Sequence, residues 1–155
     1  MSASLLTKSG GVTSSTQFAG AMKSALTDGV IFGCDCTVSG GNINISSGLI
    51  IASGFMIAVE AETIAPASGN QIVVKINVSD GSASIITRES SALNQENIFN
   101  GGDEYEAELA TYTISGSSVA SVIKTLGRAS ANSNIVIGAS EPNSPQKGDI
   151  WFVTA

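Results

Sequence analysis

The residues able to do chemistry are few, and their spacing decides what they can do. Asp103, Glu104, Glu106 and Glu108 crowd the run 103–108. Carboxylate oxygens are the ligands that Ca²⁺ prefers, but the spacing is not that of an EF-hand loop. A carboxylate on every second residue also reads as the solvated face of a strand. Glu60 and Glu62 stand two apart and could imitate the acid–base pair of a glycosidase. That chemistry wants a cleft lined by sugar-stacking rings, and aromatic residues make up only 5% of the chain. Cys34 and Cys36 are also i and i+2. On a strand they share a face with parallel Cβ vectors, poor geometry for a disulfide. They are expected to be small buried apolar residues, with a redox pair or half a metal site as the alternatives.

The residue types that are missing exclude more. The sequence has no His, so it holds no Ser-His-Asp triad, no Cys-His dyad and no His-ligated metal. Two Cys do not build a four-thiolate zinc site. Gly40-Gly41 and Gly101-Gly102 do not match a phosphate-cradling loop leading into a helix with Lys, and read as turns. Seven Lys and Arg stand against thirteen Asp and Glu, a net charge of −6, which repels nucleic acid. No catalytic, cofactor-binding or metal-binding residue is assigned. The chain is expected to be a structural or binding module that needs no cofactor, rather than an enzyme.

The elements that position these residues are expected to be strands. Charged residues are 13% and hydrophobic residues 43%, while polarity comes from 24 Ser, 11 Thr and 10 Asn beside 17 Gly. Such chains favour turns and strand faces over helices. Residues 1–15 read as a flexible N-terminal arm. Phe18, Met22 and Leu26 recur at helical spacing, with Ser15 or Thr16 to cap the start and Asp28-Gly29 to stop it, so one helix is expected over 16–27. Its apolar stripe must dock, either on this chain's own sheet or on a partner subunit.

From Val30 the pattern turns to β and fills a main domain over 16–127. Val30–Val38 is rich in strand formers, and Asn42-Ile-Asn-Ile-Ser alternates with period two. Leu49–Ala52 and Phe55–Ala61 are apolar runs bent at Ser53-Gly54. Gln71–Ser79 is the clearest strand, and Asp80-Gly81 marks a hairpin into Ser82–Arg88. Residues 89–104 read as a long loop. Glu104–Ile114 is ambiguous: a helix would align Tyr105, Leu109 and Tyr112 but set Glu104 against Glu108, a like-charge cost of a few tenths of a kcal/mol. Thr111, Tyr112, Thr113 and Ile114 favour a strand, and a strand is expected, followed by Val119–Leu126. Residues 128–155 read as a small, polar linker and a C-terminal β-hairpin, Ile135–Gly138 with Asp149–Val153. The connection carries Pro142 and Pro145. Large apolar groups lie on both faces of the last strand, Ile150 and Phe152 on one and Trp151 and Val153 on the other. The fold class is therefore all-β: an antiparallel β-sandwich or barrel-like module with one short N-terminal helix and a C-terminal β-hairpin. Phe18, Met22, Leu26, Ile150, Trp151 and Phe152 are the candidate assembly contacts. The start has no basic stretch followed by an apolar core, and no apolar run is long enough to cross a bilayer, so neither a signal peptide nor membrane insertion is expected.

Two parts of the chain resemble bacteriophage proteins. Asp28-Gly-Val-Ile-Phe-Gly, Thr37-Val-Ser and Gly48-Leu-Ile-Ile-Ala-Ser-Gly-Phe-Met-Ile resemble the N-terminal module of phage tail-fibre and baseplate proteins. Gln71–Val78 and Tyr105-Glu-Ala-Glu-Leu-Ala-Thr-Tyr continue it in order. Ser140-Glu-Pro-Asn-Ser-Pro-Gln-Lys-Gly-Asp-Ile-Trp-Phe is similar to the Pro…Pro…Gly-Asp-x-Trp hairpin of phage tail proteins. The likeness covers most of 28–126 and, separately, 135–153. It implies a virion structural protein, made in the host bacterial cytoplasm, that plugs into a tail or baseplate, often as a homotrimer with other virion proteins as partners. Many relatives continue into a long fibre or receptor-binding tip, and this sequence ends at Ala155, which favours an adaptor, collar or short-fibre role. The alternatives are a carbohydrate- or receptor-binding module at a virion tip, with a host surface glycan as partner, and a capsid decoration or head-fibre protein. The glycan reading needs exposed aromatic platforms, with Tyr105, Tyr112 and Trp151 as the candidates.

Overall fold

A computed structural model describes residues 3–5, 15–131, 135–138 and 150–153, with side chains described over 18–131. Among the described residues the chain is all-β apart from one α-helix and one 3₁₀ turn. In chain order the elements are β1 Ala3–Leu5, α1 Ser15–Ala25, β2 Gly29–Gly33, β3 Cys36–Ser39, β4 Asn42–Ile45 and β5 Gly48–Ala52. They continue with β6 Phe55–Val59, β7 Glu62–Ile64, β8 Gln71–Asn77, β9 Ser82–Arg88 and the 3₁₀ turn Ile98–Asn100. The last are β10 Glu104–Ser115, β11 Ser118–Lys124, β12 Ile135–Gly138 and β13 Ile150–Val153. Eight strands form one antiparallel sheet in the order β11-β10-β8-β9-β1-β6-β5-β2, and β3-β4-β7 form a second antiparallel sheet.

Hydrophobic alternation explains how the two sheets meet. Ile43, Ile45 and Ile64 on the small sheet share one core with Ile57, Ile76 and Ile85 on the large one. Each such side chain taken from water contributes about 1.5–3 kcal/mol. β10 changes phase to stay in that core. Its pairing with β8 shifts register between Glu108 and Ala110, and Leu109 and Ala110 are both buried. The inward set passes from Tyr105, Ala107 and Leu109 to Ala110 and Tyr112, as a β-bulge allows. The strand expected here is formed, and the competing helix is not.

Besides the Val30–Val38 run, which breaks in two, three segments differ from expectation. Ala3–Leu5, read as part of a flexible arm, lies between β6 and β9, with Ala3 opposite both Val59 and Ala83. Residues 127–131, read as linker, form a strap on β2. Val30 N–H donates to Gly127 O at 2.8 Å, Ala129 N–H to Val30 O at 3.0 Å, and Thr27 N–H to Ser130 O at 2.8 Å. Because Thr125 and Leu126 N–H still donate to Leu109 O, the chain leaving β11 runs from one end of the large sheet to the other and closes it like a barrel. Gly29 permits the contact: a Cβ there would lie 2.3 Å from Ala129 N. The third difference is the C-terminal hairpin, which is not formed. β12 and β13 pair in parallel, Ile135 with Ile150 and Gly138 with Val153. Parallel partners need a returning connection rather than a tight turn.

Candidate functional site

The acidic run is taken up by the fold. Glu106 is 4% exposed. Its carboxylate accepts from Arg88 Nη1 at 2.8 Å and from Asn94 N–H at 2.6 Å. Glu104 pairs with Lys75 at 2.8 Å, and Glu108 accepts from Gln71 Nε2. Glu96 accepts from the N–H groups of Asp103 and Glu104, and those bonds hold its carboxyl below the usual range. Segment 89–103 is thereby stapled across β10. Among the described residues no group of three or more Cys, Asp or Glu is placed to hold a metal ion.

Helix α1 docks on its own sheet, through a face the Phe18/Met22/Leu26 stripe did not indicate. Ala19 is fully buried against the β5–β6 turn. There Gly54 has φ +80, and a Cβ would lie 1.8 Å from Ala19 O. One helical turn later, Lys23 Nζ donates to Ser53 Oγ at 3.0 Å and lies 5.3 Å from the centre of the Tyr105 ring. Tyr105 Oη donates to Asp28 Oδ2 at 2.6 Å, and Ser53 N–H donates to Asp28 Oδ1 at 2.7 Å. Burial and that carboxylate push the Tyr105 hydroxyl well above its usual pKa. Phe18 is left 40% exposed, while Met22 and Leu26 are half-buried. The side chains of Ile150, Trp151 and Phe152 lie outside the described residues.

Other expected sites change character. Tyr105 and Tyr112 are 8% and 2% exposed, so neither is a platform for a sugar. Cys34 and Cys36 do not share one strand. The run Val30–Val38 breaks where Gly33 and Cys34 both take left-handed φ, +65 and +54, and the chain steps from the large sheet to the small one. Both thiols are free, Cys34 buried and Cys36 half-buried. Desolvation pushes the Cys36 thiol up to about 11, partly offset by the nearby Lys124 ammonium.

The same corner opens a cleft that sequence reasoning missed. It is lined by Val30, Ile31, Phe32, Gly33, Asp35, Lys124 and Arg128, with a volume of about 420 Å³. A register shift between Val30 and Phe32 against β5 accompanies a Phe32 ring that is 62% exposed. Lys124 bridges the opening, donating to Gly33 O at 2.9 Å and to Asp35 Oδ1 at 3.3 Å. Arg128 sits on the strap, bridged to Val30. The one sequence signal was negative: a run of β formers from Val30 that contains Gly33, where a strand is prone to bend. No family model matches the chain, and no curated protein matches it.

Proposed function

We propose that this chain is a non-catalytic structural component of a bacteriophage virion, an adaptor or short-fibre subunit of the tail or baseplate. It assembles with copies of itself, as a trimer, and with other virion proteins. The observation that carries the reading is a set of large apolar side chains left in water on three adjoining strands. Ile123 of edge strand β11 is 64% exposed, Ile114 of β10 39% and Val38 of β3 37%. β10 pairs with β11, and the β3–β4 turn is tied to β11 by Val119 N–H donating to Gly41 O at 2.9 Å. An apolar edge of this kind favours association, and soluble single chains ordinarily blunt it. The resemblance of 28–126 to tail-fibre and baseplate modules supplies the setting. Burial of Tyr105 and Tyr112 weighs against the sugar-binding alternative.

Cryo-electron microscopy of intact particles from a lysate containing the protein tests this reading. The chain is expected at a symmetric position on the tail or baseplate, with Ile123 covered by a neighbour. Purified particles that lack the chain by mass spectrometry would overturn it, and a position on the capsid would transfer the role to a head-fibre or decoration protein.

A further inference from the structure

We propose that the cleft between β2 and the strap binds a small organic anion, a carboxylate or phosphate monoester carried on an apolar or ring-shaped body. Cations are unevenly placed on this acidic protein. Lys75 is committed to Glu104 and Arg88 to Glu106. At the cleft the balance reverses: Lys124 and Arg128 face a single carboxylate, Asp35. Asp35 has a side chain that is 75% exposed and meets Lys124 at 3.3 Å. An exposed pair of that length is worth little, so an incoming anion can take its place on the ammonium.

One cation is fixed at its charged end, and the other is carried on pinned backbone. The Gly33 carbonyl fixes Lys124 Nζ at 2.9 Å. The backbone that carries Arg128 is pinned on both sides by Val30, through Gly127 O and Ala129 N–H. A guanidinium offers two parallel N–H donors to a carboxylate or phosphate, a geometry an ammonium lacks. The apolar wall completes the chemistry: Phe32 presents a ring to solvent at the cleft, and burying part of it against a ligand body adds affinity that a bare inorganic ion does not gain. The volume, about 420 Å³, lies in the range of small-molecule sites. The inference is independent of the assembly reading, since it concerns the cleft rather than Ile123, Ile114 and Val38.

The test is a titration of the full chain, followed by amide and arginine side-chain NMR, with four probes: benzoate, phenyl phosphate, benzyl alcohol and inorganic phosphate. Saturable shifts are expected at Phe32, Gly33, Lys124 and Arg128 with benzoate or phenyl phosphate. The tighter of the two assigns the ligand as carboxylate or phosphate monoester. Benzyl alcohol and inorganic phosphate, each lacking one half of the recognition, should bind at least about tenfold more weakly. Arg128→Gln should weaken the aromatic anion by about tenfold or more, with the rest of the spectrum unchanged. Lys75→Gln, which removes a cation elsewhere, should leave it as it was. Shifts that stay linear to about 20 mM, beyond the range of specific weak binding, would overturn the proposal. So would binding that survives Arg128→Gln, or binding of benzyl alcohol as tight as that of benzoate.

Discussion

Two charged regions of this molecule have opposite fates. Around β10, a dense set of carboxylates is paired with side chains and backbone and covered by the segment 89–103. At the β2 corner, a sparse set of charges lines an open cleft beside an exposed ring. The crowded region looks like chemistry in the sequence and is architecture in the fold. The plain region looks like an ordinary strand and is where the surface is open to a ligand. What separates them is the backbone path: a long loop returns over β10, whereas at the Gly33 and Cys34 corner the strap and Lys124 flank an opening that they do not fill. Charge density in a sequence therefore marks a place that must be neutralised, and the fold decides whether a neighbour or a ligand does so.

The largest effect should come from opening the closed region. Glu106→Ala removes the acceptor of both Arg88 and Asn94 and leaves a partly buried guanidinium without its carboxylate. Breaking a buried pair from one side costs about 3 kcal/mol. Urea unfolding should show that loss, together with faster exchange of the Asn94 amide. A loss under about 1 kcal/mol would mean the network is no stronger than a surface pair.

Alkaline pH should act next, and on the corner. The folded-state pKa of Cys36 is raised from 9.0 to about 11. Its stabilising contribution is complete below the unfolded value and is lost as pH rises from about 9 towards about 11. Thiol labelling at pH 8 should be slow in the native protein and rapid in denaturant. Equal rates would show that the Cys36 thiol is not held by burial.

At acid pH the same logic reverses for Glu96. Its depressed pKa gives stability that is present above the ordinary carboxylate value of about 4.3 and lost as pH falls through the folded value. The Asp103 and Glu104 amides should lose protection on acidification before the core strands do. Simultaneous loss would show that the covering segment opens only with the whole fold.

The smallest effect should be that of Arg128→Gln on stability, within about 0.5 kcal/mol, as for a surface change that breaks no buried contact. Set beside Glu106→Ala, it measures the contrast directly. A loss comparable to that of Glu106→Ala would make the cleft a second closed network.

Much of the architecture was legible in the sequence because period-two patterning and turn residues act locally. β8, β9 and the Asp80-Gly81 turn between them follow from residues adjacent in the chain. β10 was read as a strand on the Glu104/Glu108 repulsion and the Thr111–Ile114 propensities. The misses share a different cause. A three-residue strand such as Ala3–Leu5 has no period to detect. The strap's small residues, Gly127, Ala129, Ser130 and Ala131, suit a linker and a close backbone approach equally well. Alternation is the same in parallel and antiparallel partners, so the pattern of Ile135–Gly138 and Ile150–Val153 did not fix their direction. Nothing about a Cys announces the left-handed conformation of Cys34, and with it the corner and the cleft. Of the six candidate contacts, Phe18 is exposed and Met22 and Leu26 are half-buried, because the helix turns Ala19 and Lys23 towards the β5–β6 turn. Among the described residues the apolar side chains most open to water, Phe32 and Ile123, were not among the candidates, because on a strand an apolar residue is ordinarily read as core.

The central claim, that the chain meets copies of itself through its exposed apolar edge rather than its acidic run, is tested most directly by light scattering coupled to size exclusion. At about 10 μM, a concentration that populates specific assemblies, the protein should elute as a multiple of 15.6 kDa. A trimer is expected, and Ile123→Asp should return it to the monomer with its β spectrum intact. A 15.6 kDa species across the concentration range, or an oligomer that Ile123→Asp leaves unchanged, would contradict the account.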